Sequence, residues 1–194
     1  MSYHIYTTEA IILKRQAFGE ANILLYILTE DLGLIMASAR SARLSSSKLR
    51  ASLQEYSHIS ISCVKGKNGW KITNASQKSS FFFDYPVYSR RTLSQITFFL
   101  MKMITGESPH PEIFQTVSSG FEFLKNLIEK DVANLETLLV LRVLWQLGYV
   151  ASSSSTEMYI KNTREWNDEL LQEVGGNREA LVQIINKALK ESHL

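Results

Sequence analysis

The chain has 194 residues, of which 45% are hydrophobic and 21% charged, with one cysteine and a formal net charge of +2. That composition is ordinary for a globular protein and excludes disorder or a fibrous repeat, and the length suits one large domain or two small ones. The lone thiol, Cys63, allows neither an internal disulfide nor a four-cysteine zinc site.

The N-terminus, Met1 to Tyr6, lacks a basic segment followed by an apolar stretch, so no signal peptide is expected. Glu9–Lys14 and Asn22–Thr29 are short β-rich apolar runs, bounded by turn signals at 17–20 and 30–33. Leu34–Ala37 is a third. The segment 39–50 is basic and serine-rich with no sustained apolar face; it reads as a mobile loop, with room for a short helix near Lys48–Leu53. Tyr56–Lys65 then alternates, with Ile59, Ile61 and Cys63 on one face and His58, Ser60, Ser62 and Val64 on the other. Gly66-Lys-Asn-Gly69 supplies residues able to adopt positive φ, and Trp70–Asn74 alternates again, which predicts a hairpin. Five strands at this spacing predict a small barrel or a curled sheet.

Beyond about residue 80 the period becomes helical. Thr92–Ile104 reads as a helix ended by Gly106 and the turn 109–111. Ile113, Phe114, Val117, Phe121, Leu124, Leu127 and Ile128 follow the spacing of an amphipathic helix. Leu135–Leu147 is apolar nearly all round and stops at Gly148, which predicts the central buried helix. Trp166, Leu170, Leu171 and Val174 predict a shorter helix ending at Gly175-Gly176. Asn177 then caps a last helix with a stripe of Leu181, Ile184, Ile185, Ala188 and Leu189. The fold class is α+β, divided near residue 80. The longest apolar runs, 21–28 and 138–145, are too short to span a bilayer, so a soluble protein of a reducing compartment is expected.

The charge is unevenly placed. Residues 1–80 hold ten Lys/Arg against five Asp/Glu, net +5, and residues 81–194 hold eleven against fourteen, net −3. Between Gly33 and Lys78, eight basic residues meet one acid, Glu55. A solvated basic surface and a face for an anionic partner both fit that asymmetry. Phosphate loops, dinucleotide fingerprints, zinc-protease motifs and nucleophile elbows are missing, so an enzyme is disfavoured. His58 reads as surface polar and Cys63 as a buried small hydrophobe. Lys and Arg displace counterions from phosphate without needing a base sequence. Arg40, Arg43, Lys48 and Arg50 on the loop, with Lys65, Lys67 and Lys71 around the hairpin, are the candidate contacts. Lys71 and Thr73 should point out where Trp70 and Ile72 point in. Tyr26, Tyr56 and Trp70 are candidate stacking platforms, each also a candidate core residue.

Several of these runs together resemble the bacterial recombination-mediator family RecO. The likeness runs through Glu9–Leu13, Phe18-Gly-Glu20, Leu28-Thr29, Gly33-Leu-Ile35, Ala39-Arg40, Ser47–Arg50, Leu53-Gln54 and Lys65-Gly66, and returns at Leu141–Tyr149 with its Leu-Gly-Tyr end. The resemblance implies a five-stranded OB-fold barrel over 1–80, followed by an all-helical domain over 81–194. It implies binding of single- and double-stranded DNA and annealing of complementary strands, and Lys14 and Arg15, also in the basic half, join the candidate contacts. It also implies loading of RecA together with RecR and single-stranded-DNA-binding protein, in the cytoplasm at the nucleoid, with no catalytic turnover and no membrane.

The departures from the family pattern are local. Ala37-Ser-Ala-Arg-Ser41 stands where the family has Lys-Gly-Ala-Arg-Arg, and Glu55 stands where a proline is expected. Where many members insert four zinc-binding cysteines, residues 150–157 form a serine-rich linker, so no metal or other cofactor is expected. An apolar groove with a basic rim in the helical half would suit the acidic, apolar-ended tail of single-stranded-DNA-binding protein. Arg142 is a candidate for that rim, and equally for a structural pair with Glu136 or Glu122. The alternative function is a protein–protein adaptor whose helical half is the working surface and whose barrel is a scaffold.

Overall fold

A computed structural model describes residues 4–192. Five strands come first: β1 (Ile5–Phe18), β2 (Asn22–Thr29), β3 (Gly33–Ala39), β4 (Ser57–Gly66) and β5 (Gly69–Ser80), with helix α1 (Leu49–Ser52) between β3 and β4. Helices follow: α2 (Phe81–Asp84), α3 (Val87–Met103), α4 (Pro111–Leu124), α5 (Glu129–Gln146), α6 (Glu157–Ile160) and α7 (Asp168–Glu191). Strand gives way to helix between Ser80 and Phe81. The packing forms two compact units. The first holds the residues through Asp84 together with Thr97–Phe114; the second holds Tyr85–Ile96 and the residues from Gln115 onward.

In the first unit the strands close into a barrel in the order β1-β2-β3-β5-β4. Antiparallel β1 pairs with both β2 and β4, and β3 meets β5 in parallel. That closed five-stranded order is the OB-fold. Period-two alternation builds its interior from Ile23, Leu25 and Ile27, Ile35 and Ala37, Ile59, Ile61 and Cys63, and Trp70 and Ile72, all buried. Each large apolar side chain so buried contributes about 1.5–3 kcal/mol. Ala10, Ala37 and Ala39 share this small interior with the bulky Trp70. In β1 the four residues Ala10–Leu13 are buried consecutively: Ala10 and Ile12 join the barrel core, while Ile11 and Leu13 are buried outside it, and the register with β2 shifts between Ile12 and Lys14. Gly33 opens β3 at φ 73°, and a Cβ there would lie 2.3 Å from the Ser108 carbonyl oxygen. Only glycine fits both the backbone and the space.

Strands β1 and β5 run past their apolar patterns, β1 over Ile5–Phe18 where only 9–14 is apolar. β5 continues to Ser80 through Asn74, Ser76 and Gln77, whose side chains are exposed while the pairing with β4, with two register shifts, runs on to Ser57↔Ser80. Polar outward residues hid the pairing. The basic loop contains the short helix α1, and its first part is tied to the β1–β2 turn. The Arg43 N–H donates to the Ala21 carbonyl at 2.9 Å, and the Ser41 N–H to Asn22 Oδ1 at 2.9 Å.

In the second unit, α5 is the buried helix, and it ends before Gly148 at φ 82°, as its C′ glycine requires. The two helices expected on either side of Gly175-Gly176 are one. α7 runs unbroken from Asp168 to Glu191, and Asn167, not Asn177, caps it by accepting from the Leu170 N–H at 2.8 Å. Glycine lowers helix propensity by about 1 kcal/mol per residue, too little to stop a helix whose Leu171, Val174, Leu181 and Ile185 are buried. Residues 151–155 are exposed, and the linker is organised around Thr156, whose Oγ1 accepts from the Ser153 N–H at 3.0 Å.

Arg142 answers to neither expected role. It is 1% exposed, so it is not on a rim, and its guanidinium donates to the carbonyls of Tyr159 (2.8 Å), Thr163 (3.2 Å) and Glu165 (2.8 Å) while lying 4.4 Å from the Trp166 ring centroid. Its partners are backbone groups around α6 rather than Glu136 or Glu122. Burial pulls its pKa down to about 10, against the pull of Glu165 upward, so it stays charged at neutral pH.

Candidate nucleic-acid interface

β3 and β5 pair only at Ala37↔Trp70 and Ser38↔Lys71. Beside this short seam lies a groove of about 480 Å³ lined by Phe18, Asn22, Ser38, Arg40, Val64, Lys71, Ile72 and Thr73. Alternation places it. Trp70 and Ile72 are buried, so Lys71 and Thr73 face out, as their spacing predicts. Arg40 follows the last residue of β3, and Phe18 and Asn22 bracket the β1–β2 turn. Phe18 is 55% exposed, an aromatic face open to stacking. The lining therefore offers two cations, hydroxyl and amide groups and one aromatic ring, with no carboxylate among them. Such a set suits a phosphodiester strand, with charge for its phosphates and a ring for one base.

The other basic residues divide around this groove. Arg43 Nη1 donates to the carbonyls of Gly19 (3.2 Å) and Glu20 (3.0 Å), so it braces the β1–β2 turn from beside the groove. Lys67 stands in the hairpin turn next to Gly66, against which the end of Lys71 lies. Lys65 leaves the hairpin on the opposite face from Lys71. Its Nζ sits 2.5 Å from Glu107 and 5.4 Å from the Trp70 ring centroid. Lys14 lies 5.8 Å over Tyr26 on the β1–β2 surface, and Arg15 lines a separate small pocket. Lys48 precedes α1 and Arg50 lies within it. The structure thus brings Arg40 and Lys71 into one groove, sets Arg43 and Lys67 near it, and places Lys14, Arg15, Lys48, Arg50 and Lys65 elsewhere.

Of the expected platforms, Trp70 is a core residue, while Tyr26 and Tyr56 are half-buried. Phe18 was missed by reading aromatics only within strands. Its signal was an aromatic directly before Gly19, at a turn where φ is 61° and no core position remains. His58 is not a surface residue either. Its side chain is only 16% exposed, 3.2 Å from a Glu9 oxygen that also takes Lys78 at 2.7 Å, with the Phe81 and Phe114 rings about it. Burial also raises the Cys63 thiol, to about 11. Among the described residues no helix is long and apolar enough to cross a membrane, and no group of three or more His, Cys, Asp or Glu is placed to hold a metal ion.

Comparison with known proteins points the same way. Residues 1–81 match the family model for the recombination protein O N terminal domain. Over 133 residues the chain is 32% identical to the DNA repair protein RecO of Dehalococcoides mccartyi strain 195, an alignment covering 66% of this chain and 51% of that protein. It is 28% identical over 145 residues to the DNA repair protein RecO of Heliobacterium modesticaldum, covering 75% and 52%. For the DNA repair protein RecO of Thermodesulfovibrio yellowstonii the figures are 29% over 149 residues, covering 75% and 58%. The chain spans about half the length of the curated relatives it matches.

Proposed function

Since the chain belongs, through residues 1–81, to the RecO family, we propose that it is a DNA-binding mediator of recombination and repair that works by binding rather than by turnover. The observation that carries this reading is the groove that Arg40, Lys71 and exposed Phe18 line on an OB-fold barrel. OB-folds take oligonucleotides on the face of strands 2 and 3 and at the loops joining strands 1–2 and 4–5. Those are the places of Arg40, Phe18 and Lys67. Single- and double-stranded DNA both present the phosphates that the cations require, so a site of this kind can bring complementary strands together for annealing. The +5 charge of residues 1–80 supports the same reading by drawing DNA to the barrel.

Family membership further supports cooperation with RecR, with the C-terminal tail of single-stranded-DNA-binding protein, and with RecA loading in a cytoplasmic, nucleoid setting. The test of the core reading is fluorescence anisotropy with a labelled oligothymidylate, between about 50 and 200 mM salt. Arg40→Ala with Lys71→Ala should weaken binding and flatten the slope of log affinity against log salt by about 1.4, the loss of two phosphate contacts to a single strand. Binding that is insensitive to salt, or unchanged in this variant, overturns it.

A further inference from the structure

A second cavity in the first unit, separate from the groove, has a different chemistry. It measures about 280 Å³ and is lined by Arg15, Gln54, Glu55, Tyr56 and Phe83. Arg15 lies three residues before Phe18 on β1, so the alternation of the strand sends the two side chains to different faces. Phe83 is 71% exposed at the mouth, and Tyr56 holds a left-handed backbone at φ 60°, a conformation that non-glycine residues adopt at a cost of about 1–3 kcal/mol. Strain of this size tends to be retained where it positions a side chain.

The polar groups of this cavity are a defined set. One Glu55 oxygen accepts the Arg15 backbone N–H at 2.7 Å, which fixes the carboxylate while leaving its second oxygen available. Gln54 commits its Nε2 to the Arg50 carbonyl at 2.5 Å, so the oxygen of its amide is the end left to a ligand. Arg15 lines the cavity, and no side-chain hydrogen bond or ion pair to another described residue engages its guanidinium. The cavity therefore presents two acceptors, one cationic donor and two aromatic rings.

A phosphate does not suit this set, because Glu55 would repel it. A flat, neutral ring does. Of the four bases, only guanine carries two adjacent donors, N1–H and the N2 amino group, beside an acceptor, O6. Cytosine and adenine each bring one amino donor, and thymine one N–H between two acceptors. The Glu55 carboxylate can take the guanine donor pair, because the oxygen that accepts the Arg15 N–H keeps a second acceptor site, and the Arg15 guanidinium matches O6.

We propose that the Arg15–Glu55–Phe83 cavity binds a single unstacked guanine base. The base arrives either from a DNA strand or as a free guanine nucleotide, and the two arms of the test separate these sources. In the first arm the full chain is mixed with guanosine, adenosine, cytidine or thymidine, and with guanosine 5′-monophosphate, and saturation-transfer NMR reads binding. In the second arm, anisotropy compares an oligothymidylate with the same strand carrying one central dG.

Guanosine alone among the nucleosides should show transfer from aromatic protons, and the dG strand should bind about tenfold more tightly than its parent, as one good bidentate pair would give. Glu55→Gln keeps an acceptor for the Arg15 N–H but loses the charge, and should bring the ratio of dG to parent affinity to one. Phe83→Ala, at an exposed position, should lower guanosine binding without the question of misfolding. A strand preference assigns the site to DNA, and guanosine monophosphate binding without one assigns it to the free nucleotide. Absence of both, or a preference surviving Glu55→Gln, overturns the proposal. The nucleoside arm carries no phosphate, so it reads this cavity even where the groove fails to bind DNA.

Discussion

Lys65 and Glu107 form an ion pair, with Nζ 2.5 Å from Oε2, at the rim of the barrel that holds Trp70. The pair occupies Lys65, whereas Lys71 lines the groove. Lys65, foremost among its causes, holds the Glu107 carboxyl below the usual carboxylate range through a hydrogen bond. Both side chains are about half exposed, so the pair contributes little to stability. Because the folded-state value is depressed, that contribution is present above the ordinary carboxylate pKa and is lost as pH falls through the Glu107 value.

Lys65→Ala should therefore return the Glu107 titration, followed by carboxyl NMR, to higher pH. It should change oligothymidylate affinity less than twofold. Lys71→Ala should cost several-fold and leave Glu107 where it is. Equal losses of affinity in the two variants would show that Lys65 is not held away from DNA.

A second prediction concerns Arg142. Its side chain satisfies the carbonyls of Tyr159, Thr163 and Glu165 and covers Trp166. Arg142→Ala abandons these acceptors in a buried place and should destabilise by about 3–5 kcal/mol. Arg142→Lys keeps the charge but not the fork that reaches several carbonyls, and should recover only part of the loss. Urea unfolding measures both. A cost near zero for the alanine variant would mean that water replaces the guanidinium freely.

How legible each feature was follows from where its cause lies. Alternation in Tyr56–Lys65 and Trp70–Asn74 named the inward residues of the hairpin because burial acts on every second side chain there. The end of α5 was legible because Gly148 supplies the left-handed residue that a helix terminus uses. Three things were not. The outer half of β5 pairs through its backbone under polar side chains, so hydrophobic pattern is silent there. Gly175-Gly176 looked like a break because local propensity speaks against helix, while the burial that overrides it comes from residues on either side. The division of the basic residues was hidden because neighbours such as Lys65 and Lys71 are parted by the strand period and by Glu107, which is 42 residues away from Lys65 in sequence.

The two central glycines of α7 should respond oppositely to alanine. At Gly176 a Cβ meets nothing within 4 Å, so Gly176→Ala gains the helix propensity alone, about 1 kcal/mol. At Gly175 a Cβ would stand 2.8 Å from Asn134 Nδ2, the atom that donates to the Leu171 carbonyl at 3.2 Å. Moving Asn134 aside forfeits a hydrogen bond of about 1 kcal/mol, which offsets the propensity. Thermal unfolding should therefore show Gly176→Ala raising Tm by about 2–4 °C and Gly175→Ala raising it little or not at all. Equal gains would mean that Asn134 does not brace α7 against α5.

Cys63 gives the last prediction, and its sign is worked from burial. The thiol is enclosed with Ile59 and Ile61 inside the barrel, and desolvation raises its pKa to about 11. An unfolded cysteine ionises near 8.5, so at pH 8 the folded chain holds only about 0.4% of the thiolate available after unfolding. Alkylation by iodoacetamide at pH 8 should thus be slower by about two orders of magnitude in buffer than in denaturing urea. Steric enclosure slows it further. Above the unfolded pKa the unfolded chain loses its proton first, so stability should decline as pH rises from about 8.5 toward 11. Cys63→Ala, whatever its packing cost, should remove that alkaline decline. Rapid labelling of the folded chain would show that the barrel opens at β4 on the timescale of the reaction.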